Sequence, residues 1–211
     1  MSGKKIGTAA AAVAALALGV ALAATPEKLM DPAKLTEKAP ATFKAKFDTT
    51  KGPFVIEVTR DWSPQGADRF YNLVKSGYFD DVKFFRVVPG FVVQFGIHGD
   101  PAIASKWLKA NIPDDPVKES NKKGYLTFAK SSAPNSRSVQ MFINLRDNTS
   151  LDKQGFSPLG KVVSGMDVVE KLFDGYGEGL TQLQGRIASE GNAFLEKNYP
   201  NLDAIKKATI E

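Results

Sequence analysis

The chain has 211 residues, no cysteine and a single histidine, His98. Without cysteine there can be no disulfide, thiol nucleophile, iron–sulfur cluster or cysteine-ligated zinc, and one histidine cannot build a multi-histidine metal site. Hydrophobic residues make up 43% and charged residues 24% of the sequence, a balance typical of globular proteins. The positive charges behind the net charge of +5 are scattered along the chain, so nothing indicates a nucleic-acid partner.

The first residues have the pattern of a secretory signal. Lys4 and Lys5 precede an uncharged run of small and apolar residues at 6–24, and Ala-Leu-Ala at 21–23 fits the small-x-small cleavage pattern. We therefore predict a signal peptide over residues 1–23, whose removal lowers the net charge from +5 to +3 because two lysines and no acid are lost. An uncleaved anchor is the alternative, because the run approaches the ~20 residues that span a bilayer. Its richness in alanine and glycine favours cleavage, and we expect membrane contact only if the segment is retained.

The region after the signal predicts a lead-in followed by a hairpin. Residues 24–42 are polar, contain three prolines and show no sustained period, which predicts a flexible lead-in. Apolar residues then alternate over 43–47 and again over 54–58, on either side of a turn-like Thr-Lys-Gly at 50–52. This period of two predicts a β-hairpin.

The next segments predict short strands and two helices. Residues 64–76 have helical spacing, with Pro64 suited to the first turn and Gly77 to the position after the last. A second short helix is predicted after Ser164. The predicted strands between these helices are the apolar runs at 84–88, 91–97, 124–129, 140–145 and 158–163. Seven or eight short strands with two brief helices fit a small β-barrel or sandwich whose ends the helices close.

Three segments that could carry conventional chemistry have simpler interpretations. His98 follows a strand in a glycine-rich loop, where a hydrogen-bonded turn residue is the simpler interpretation than a catalyst. Asp114 and Asp115 could bind a cation, but a solvated turn is the simpler interpretation. The glycine-rich segment at 175–179 lacks a preceding strand and a following lysine, which argues against a phosphate loop. A tail that we predict to be helical follows, as far as residue 211.

Arg86 and Gln94 are unusual because they interrupt otherwise apolar strands. An arginine among apolar residues is costly unless its head group is paired or faces a site. From the pattern alone, a site and an outward-pointing arginine on the outer face of a barrel remain equally open. A similar mixture of polar and aromatic residues recurs at 140–144.

Three motifs in order resemble the cyclophilin family of peptidyl-prolyl cis-trans isomerases. They are FFRVVPGFVVQFGIHGDP, GYLTFAKSSAPNSRSVQMFINL and LDKQGFSPLGKVVSGMDVVEKL. The resemblance extends over residues 43–173 and implies an eight-stranded antiparallel barrel closed by two helices. Residues 174–211 resemble the C-terminal extension of an exported bacterial branch of the family, which implies a periplasmic location and a helical extension after the isomerase domain.

The resemblance also implies the site residues. Arg86 matches the catalytic arginine of the Arg-x-x-Pro-Gly-Phe motif, and the other residues implied to be catalytic are Phe91, Gln94 and Phe142. The implied substrate-binding residues are Val92, Ala129, Gln140, Leu151 and Phe156. Two positions depart from the family pattern, because Ser150 stands where tryptophan is common and Phe156 where a rim histidine is common. The loss of the tryptophan at the first position argues for weak binding of cyclosporin-type ligands.

The resemblance implies an enzyme that accelerates rotation of X–Pro bonds during the folding of exported proteins. Its partners are then proline-containing polypeptides, no cofactor or metal is expected, and we predict a monomer. Two alternatives stay open at this point. The first is a non-catalytic proline-peptide-binding or chaperone module that uses the same groove, and the second is a scaffold whose tail docks a partner.

Overall fold

The computed structural model describes Met1, Gly3 and residues 27–211. The predicted signal peptide over residues 1–23 therefore lies, apart from Met1 and Gly3, outside the described residues. Within the described part of the chain, no helix is both long and apolar enough to cross a membrane.

The described residues contain one antiparallel sheet of eight strands. The strands are β1 (Thr42–Thr49), β2 (Gly52–Thr59), β3 (Arg86–Val88), β4 (Val92–Phe95), β5 (Tyr125–Phe128), β6 (Met141–Asn144), β7 (Pro158–Ser164) and β8 (Ile205–Ile210). Their order across the sheet is β3-β4-β6-β5-β7-β2-β1-β8. The sheet curls so that residues next to its two edges meet: Lys83 pairs with Ala204, and the Phe84 N–H donates to the Asp203 carbonyl at 2.9 Å. The mainly β, barrel-like architecture predicted from the sequence is confirmed.

The hairpin and the first helix form where the local periods predict them. Side chains of β1 alternate between exposed and buried, and the Phe47 ring stacks on the Phe54 ring of β2 with 5.1 Å between centroids. The helices are α1 (Pro64–Lys75), α2 (Pro101–Trp107), α3 (Met166–Glu170) and α4 (Gln184–Asn198). Gly77 has the positive φ of 74° expected just after the end of α1. Helix α2 was not predicted from the sequence, although Asp100 caps it by accepting from the Ala102 N–H at 2.8 Å.

Five 3-10 segments occur in the described part of the chain, at Glu27–Met30, Pro32–Lys34, Arg60–Trp62, Thr149–Gln154 and Thr181–Leu183.

The core between the sheet and α1 is dominated by phenylalanine. Fully buried rings at Phe47, Phe70, Phe79 and Phe95 contact one another with centroid distances of 5.7 to 6.2 Å. This continuous aromatic core fixes the strands that carry the site.

The segment predicted as a flexible lead-in instead packs against the folded domain over residues 27–39. The Leu29 side chain is buried in the main core, and the Trp107 indole N–H donates to the Leu29 carbonyl at 2.8 Å. The Asn72 side chain accepts from the Glu37 N–H at 3.1 Å and donates to its carbonyl at 2.6 Å. These contacts are all made with distant residues, so a local period could not reveal them.

The end of the chain is a strand, which corrects the prediction of a helical tail to residue 211. β8 pairs with β1, and the register slips by one residue near Lys206, opposite Asp48 and Thr49. This bulge places the two buried side chains, Ile205 and Ala208, three residues apart. A spacing of three imitates a helical period, which is why the sequence pattern misled. Residues 174–211 thus return to the barrel and supply its eighth strand.

Candidate functional site

The site begins with three residues that the strand register places in one row. Arg86 of β3 pairs with Gln94 of β4, and Gln94 pairs with Phe142 of β6. Directly paired residues on neighbouring strands point to the same face of a sheet, so the three side chains lie side by side. The tight turn at Pro89-Gly90, with a φ of 67° at Gly90, sets the register of β3 against β4.

The three side chains of this row line a cleft of about 210 Å³. The cleft is lined by Arg86, Phe91, Val92, Gln94, Ala129, Lys130, Phe142, Leu151, Phe156, Thr181 and Gln184. Of the nine residues predicted for the site, eight are in this lining, and Gln140 lines an adjoining polar cleft. The structure therefore brings the predicted residues together.

The apolar wall of the cleft is built on Phe142. Its side chain is only 5% exposed, and the Phe156 ring meets it edge-on with 5.8 Å between centroids. Val92 is buried beside Phe142, and Leu151 projects from the 3-10 segment Thr149–Gln154 at the rim. Such a wall can hold a small apolar ring by contact alone.

The polar wall is a chain of three side chains. Arg86 Nη1 donates to Gln94 Oε1 at 2.9 Å, and Gln94 Nε2 donates to Gln140 Oε1 at 2.9 Å. Because arginine only donates hydrogen bonds, it fixes which end of the Gln94 amide faces it. The Arg86 guanidinium also lies over the Phe91 ring, 5.4 Å from its centroid. Arg86 lies on the face of the sheet opposite the main core, which Val87 and Val93 face. Its head group is nevertheless hydrogen-bonded within the cleft, so the alternative of an arginine that simply extends into solvent is wrong.

Sequence reasoning missed the acidic partner of Arg86. Glu178 accepts from Arg86 Nε at 2.8 Å and from Nη2 at 2.6 Å. The hydrogen bonds from Arg86, together with one from the Thr181 hydroxyl, lower the pKa of the Glu178 carboxyl below its ordinary value of 4.5, although partial burial opposes this shift. The carboxylate is therefore ionised at neutral pH and bound side-on to the guanidinium.

Nothing in the sequence placed Thr181 and Gln184 in the cleft. Thr181 and Gln184 belong to the C-terminal region, and no local pattern connects them with β3 or β6, more than 35 positions earlier in the chain. Lys130 lies next to the predicted Ala129, and its ammonium group is 5.9 Å from the centroid of the Phe156 ring. The tail thus forms one side of the cleft.

The other candidate residues lie in structural contacts. His98 accepts from the Asp100 N–H at 2.9 Å and packs against the Tyr78 ring, as expected of a turn residue. The prediction of a solvated turn is wrong for Asp115, whose carboxylate is buried. It accepts from the Gly66 N–H in the first turn of α1 at 2.9 Å and pairs with the Arg137 guanidinium at 2.9 Å. Among the described residues, no group of three or more His, Asp or Glu side chains could hold a metal ion.

The fold is an antiparallel half-barrel that carries a small, partly apolar cleft beside a hydrogen-bonded guanidinium. The family model for the cyclophilin type peptidyl-prolyl cis-trans isomerase/CLD matches residues 44–189, well over half of the chain. The chain therefore belongs to the cyclophilin-type peptidyl-prolyl cis-trans isomerases, and it is an enzyme of this type.

Individual relatives agree with this assignment. The chain is 33% identical over 134 residues to peptidyl-prolyl cis-trans isomerase B of Escherichia coli, covering 60% of this chain and 81% of the relative. It is 34% identical over 170 residues to a probable peptidyl-prolyl cis-trans isomerase of Brucella abortus, covering 76% of this chain and 78% of the relative. A Cryptosporidium parvum cyclophilin crystallised in the presence of the dipeptide Ala-Pro has the same fold, with a TM-score of 0.59 at 20% identity over 80% of this chain and 98% of that one.

Proposed function

We propose that the cleft binds proline residues of exported polypeptides and accelerates rotation of the preceding peptide bond, with Arg86 as the catalytic donor. The observation that carries this proposal is the row of Arg86, Gln94 and Phe142, which sets a fixed cation beside an apolar pocket. Phe142, Phe91, Val92 and Leu151 would contact the pyrrolidine ring.

The chemistry of the reaction suits these residue types. Rotation about the peptide C–N bond is opposed by its partial double-bond character, with a barrier of ~18–20 kcal/mol. As the bond twists, the proline nitrogen becomes pyramidal and gains a lone pair that the planar ground state does not offer. A donor that hydrogen-bonds this lone pair therefore binds the twisted state more tightly than either isomer, which is what lowers the barrier.

Arginine suits the donor role because it stays protonated and its donors are rigidly arranged. The hydrogen bond from Arg86 to Gln94 and the contact with the Phe91 ring hold the guanidinium at the pocket edge. Gln94 and the backbone near Lys130 would orient the carbonyl that precedes the proline. No covalent bond breaks, so the reaction asks for neither a proton shuttle nor a nucleophile.

The location of the reaction rests on the N-terminal sequence. Lysines at 4 and 5 followed by an apolar run support a cleaved signal over residues 1–23 and a periplasmic monomer acting on newly exported chains. Slow X–Pro exchange limits the folding of many polypeptides, so an exported isomerase has an evident role there. N-terminal sequencing of the exported protein tests this: a first residue near position 24 supports export with cleavage, and an intact Met1 on a membrane-bound protein contradicts it.

A protease-coupled assay with an Ala-Pro-Phe peptide tests the catalytic proposal. We expect wild type to accelerate isomerisation and Arg86→Ala to lose most of this activity, while the melting temperature of the variant stays close to that of wild type. Arg186→Ala is the matched control, because Arg186 forms a similar ion pair with Glu190 on the exposed face of α4. Inactive wild-type protein that still binds the peptide would instead favour the non-catalytic binding module.

A further inference from the structure

The Arg86 guanidinium has three of its five N–H groups occupied in the folded protein. Nε and Nη2 each donate one hydrogen bond to Glu178, at 2.8 and 2.6 Å, and Nη1 donates one to Gln94 at 2.9 Å. Arginine carries one N–H on Nε and two on each terminal nitrogen. The two N–H groups that remain are therefore one on Nη1 and one on Nη2, at the end of the side chain.

We propose that Glu178 is a positioning residue, which holds Arg86 by one edge so that the end of its guanidinium faces the bound peptide. This inference rests on the proposed catalytic role of Arg86. A side-on carboxylate with two parallel hydrogen bonds fixes the plane of the guanidinium as well as its position. The single hydrogen bond to Gln94 leaves rotation about that bond open, and the Phe91 ring contacts the guanidinium without a directional hydrogen bond.

Glu178 is itself held in place. The Thr181 hydroxyl donates to Glu178 Oε2 at 2.8 Å, and the Thr181 N–H donates to the Glu178 carbonyl at 3.0 Å. The carboxylate therefore lies in a turn of the chain that is closed by its own backbone, even though the side chain is 55% exposed. A carboxylate whose position is already fixed in this way loses little conformational entropy when it binds Arg86.

The tail loop, which we define as residues 174–183, is anchored close to Arg86. Leu180 is fully buried in a second hydrophobic cluster, in which it joins Phe85, the residue that precedes Arg86 in the chain. The Tyr176 ring meets the rings of Phe173 and Tyr199 edge-on, with centroids 5.0 and 5.1 Å apart. The same cluster thus fixes both the loop that carries Glu178 and the start of β3.

The ion pair between Arg186 and Glu190 is an example of a surface pair that contributes little to stability. Arg186 and Glu190 are one turn apart on α4, and both side chains are about half exposed, at 56% and 46%. Arg86 and Glu178 are 92 positions apart, and the Arg86 side chain is only 18% exposed. An exposed pair within one helix contributes little, whereas a long-range pair at the edge of the cleft fixes a residue that already has two other contacts.

The test is the isomerase activity of Glu178→Gln in the whole protein, with Glu190→Gln as the matched control. The amide keeps the size of the side chain but offers one acceptor in place of two, and its NH2 group repels an arginine donor. We expect kcat to fall about 10-fold with KM changed less than about twofold, because a misplaced catalytic group affects the twisted state more than ground-state binding. Glu190→Gln should match wild type in both constants.

Two further measurements separate positioning from a merely structural role. The Arg86 Nε–H signal in the NMR spectrum should exchange with water slowly in wild type and rapidly in Glu178→Gln. Thr181→Val, which removes only the hydroxyl that holds the carboxylate, should lower kcat in the same direction by a smaller factor. Unchanged kcat in both variants, a higher kcat, or a loss confined to KM would each overturn the proposal.

The proposed function and this inference fail in different ways. If wild type does not accelerate isomerisation, or if Arg86→Ala is as active as wild type, the assignment of Arg86 is wrong. If Arg86→Ala is inactive while Glu178→Gln retains wild-type kcat and KM, Arg86 is catalytic and the positioning role of Glu178 is wrong.

Discussion

Arg86 shows how the environment of one residue decides its role. An arginine in an apolar strand could place its head group in solvent along the outer surface, and the sequence pattern alone could not exclude this. The register of β3, β4 and β6 sets Arg86 in line with Gln94 and Phe142 on the cleft side, and the contacts of its head group decide the matter. The charged group is then stabilised by Gln94, Glu178 and the Phe91 ring rather than by bulk water alone.

Phe142 combines a place in the cleft with a place in the packed interior. It is 5% exposed, and it contacts the Phe156 ring at the rim. We predict that Phe142→Ala raises KM for a proline peptide and lowers the free energy of unfolding by about 3 kcal/mol, because it removes both the pocket wall and buried packing. Isomerase kinetics and urea unfolding measure the two effects.

Phe54→Ala is the matched control for this prediction. Phe54 is 1% exposed on β2 and stacks on Phe47, away from the cleft. Its loss should destabilise the protein by a similar amount while leaving KM unchanged. If Phe142→Ala changes neither KM nor the unfolding midpoint, Phe142 has been placed wrongly.

At the scale of elements, local periods predicted the hairpin and α1, and the family resemblance predicted the cleft residues. The buried positions of α1, including Ala67, Phe70 and Leu73, follow the helical spacing seen in the sequence. The register that aligns Arg86 with Phe142 depends on pairing between strands about 50 residues apart, so no local pattern could show it. The packed lead-in was missed for the same reason.

The tail is the clearest case of information that a local pattern does not contain. The bulge in β8 gives its buried residues a spacing of three, which resembles a helical period. The tail loop contacts Arg86 through Glu178, which in the sequence is only an acidic residue among glycines. Gly191 also permits close docking of α4, because an added Cβ would clash with the Gly99 carbonyl oxygen. Identifying these contacts required the fold.

The tail therefore should not be separable from the barrel. A chain ending at residue 173 lacks β8, which leaves the edge of β1 unpaired, and it exposes Phe85, which is otherwise buried by Leu180 and α4. We predict that such a chain aggregates or unfolds at a much lower urea concentration than the whole protein, because it loses a strand and a hydrophobic cluster together. The same unfolding midpoint in both chains would contradict this.

For the whole molecule, the shifted pKa of the single histidine links stability to pH near neutrality. Burial lowers the pKa of His98 below its ordinary value of 6.5, although Asp100, Asp80 and Asp81 oppose the shift. The unfolded chain then binds a proton at a higher pH than the folded protein. His98 contributes stability that is fully present above pH 6.5 and is lost as pH falls toward the folded pKa.

We predict that the free energy of unfolding falls as pH is lowered from about 7 to 5, where no other side chain type has its ordinary pKa. In His98→Gln this slope should flatten, since the variant has no group to protonate in that range. Urea unfolding at a series of pH values measures both slopes. Equal slopes in wild type and variant would show that His98 does not carry the effect.

The most direct measurement of the central claim is exchange between the cis and trans forms of an Ala-Pro-Phe peptide, followed by NMR with a catalytic amount of protein. This experiment observes binding and turnover separately, since bound peptide shifts its signals while catalysis adds exchange between them. The account predicts exchange peaks with wild type, and with Arg86→Ala shifted signals whose exchange peaks are lost. Exchange in Arg86→Ala as fast as in wild type would contradict it.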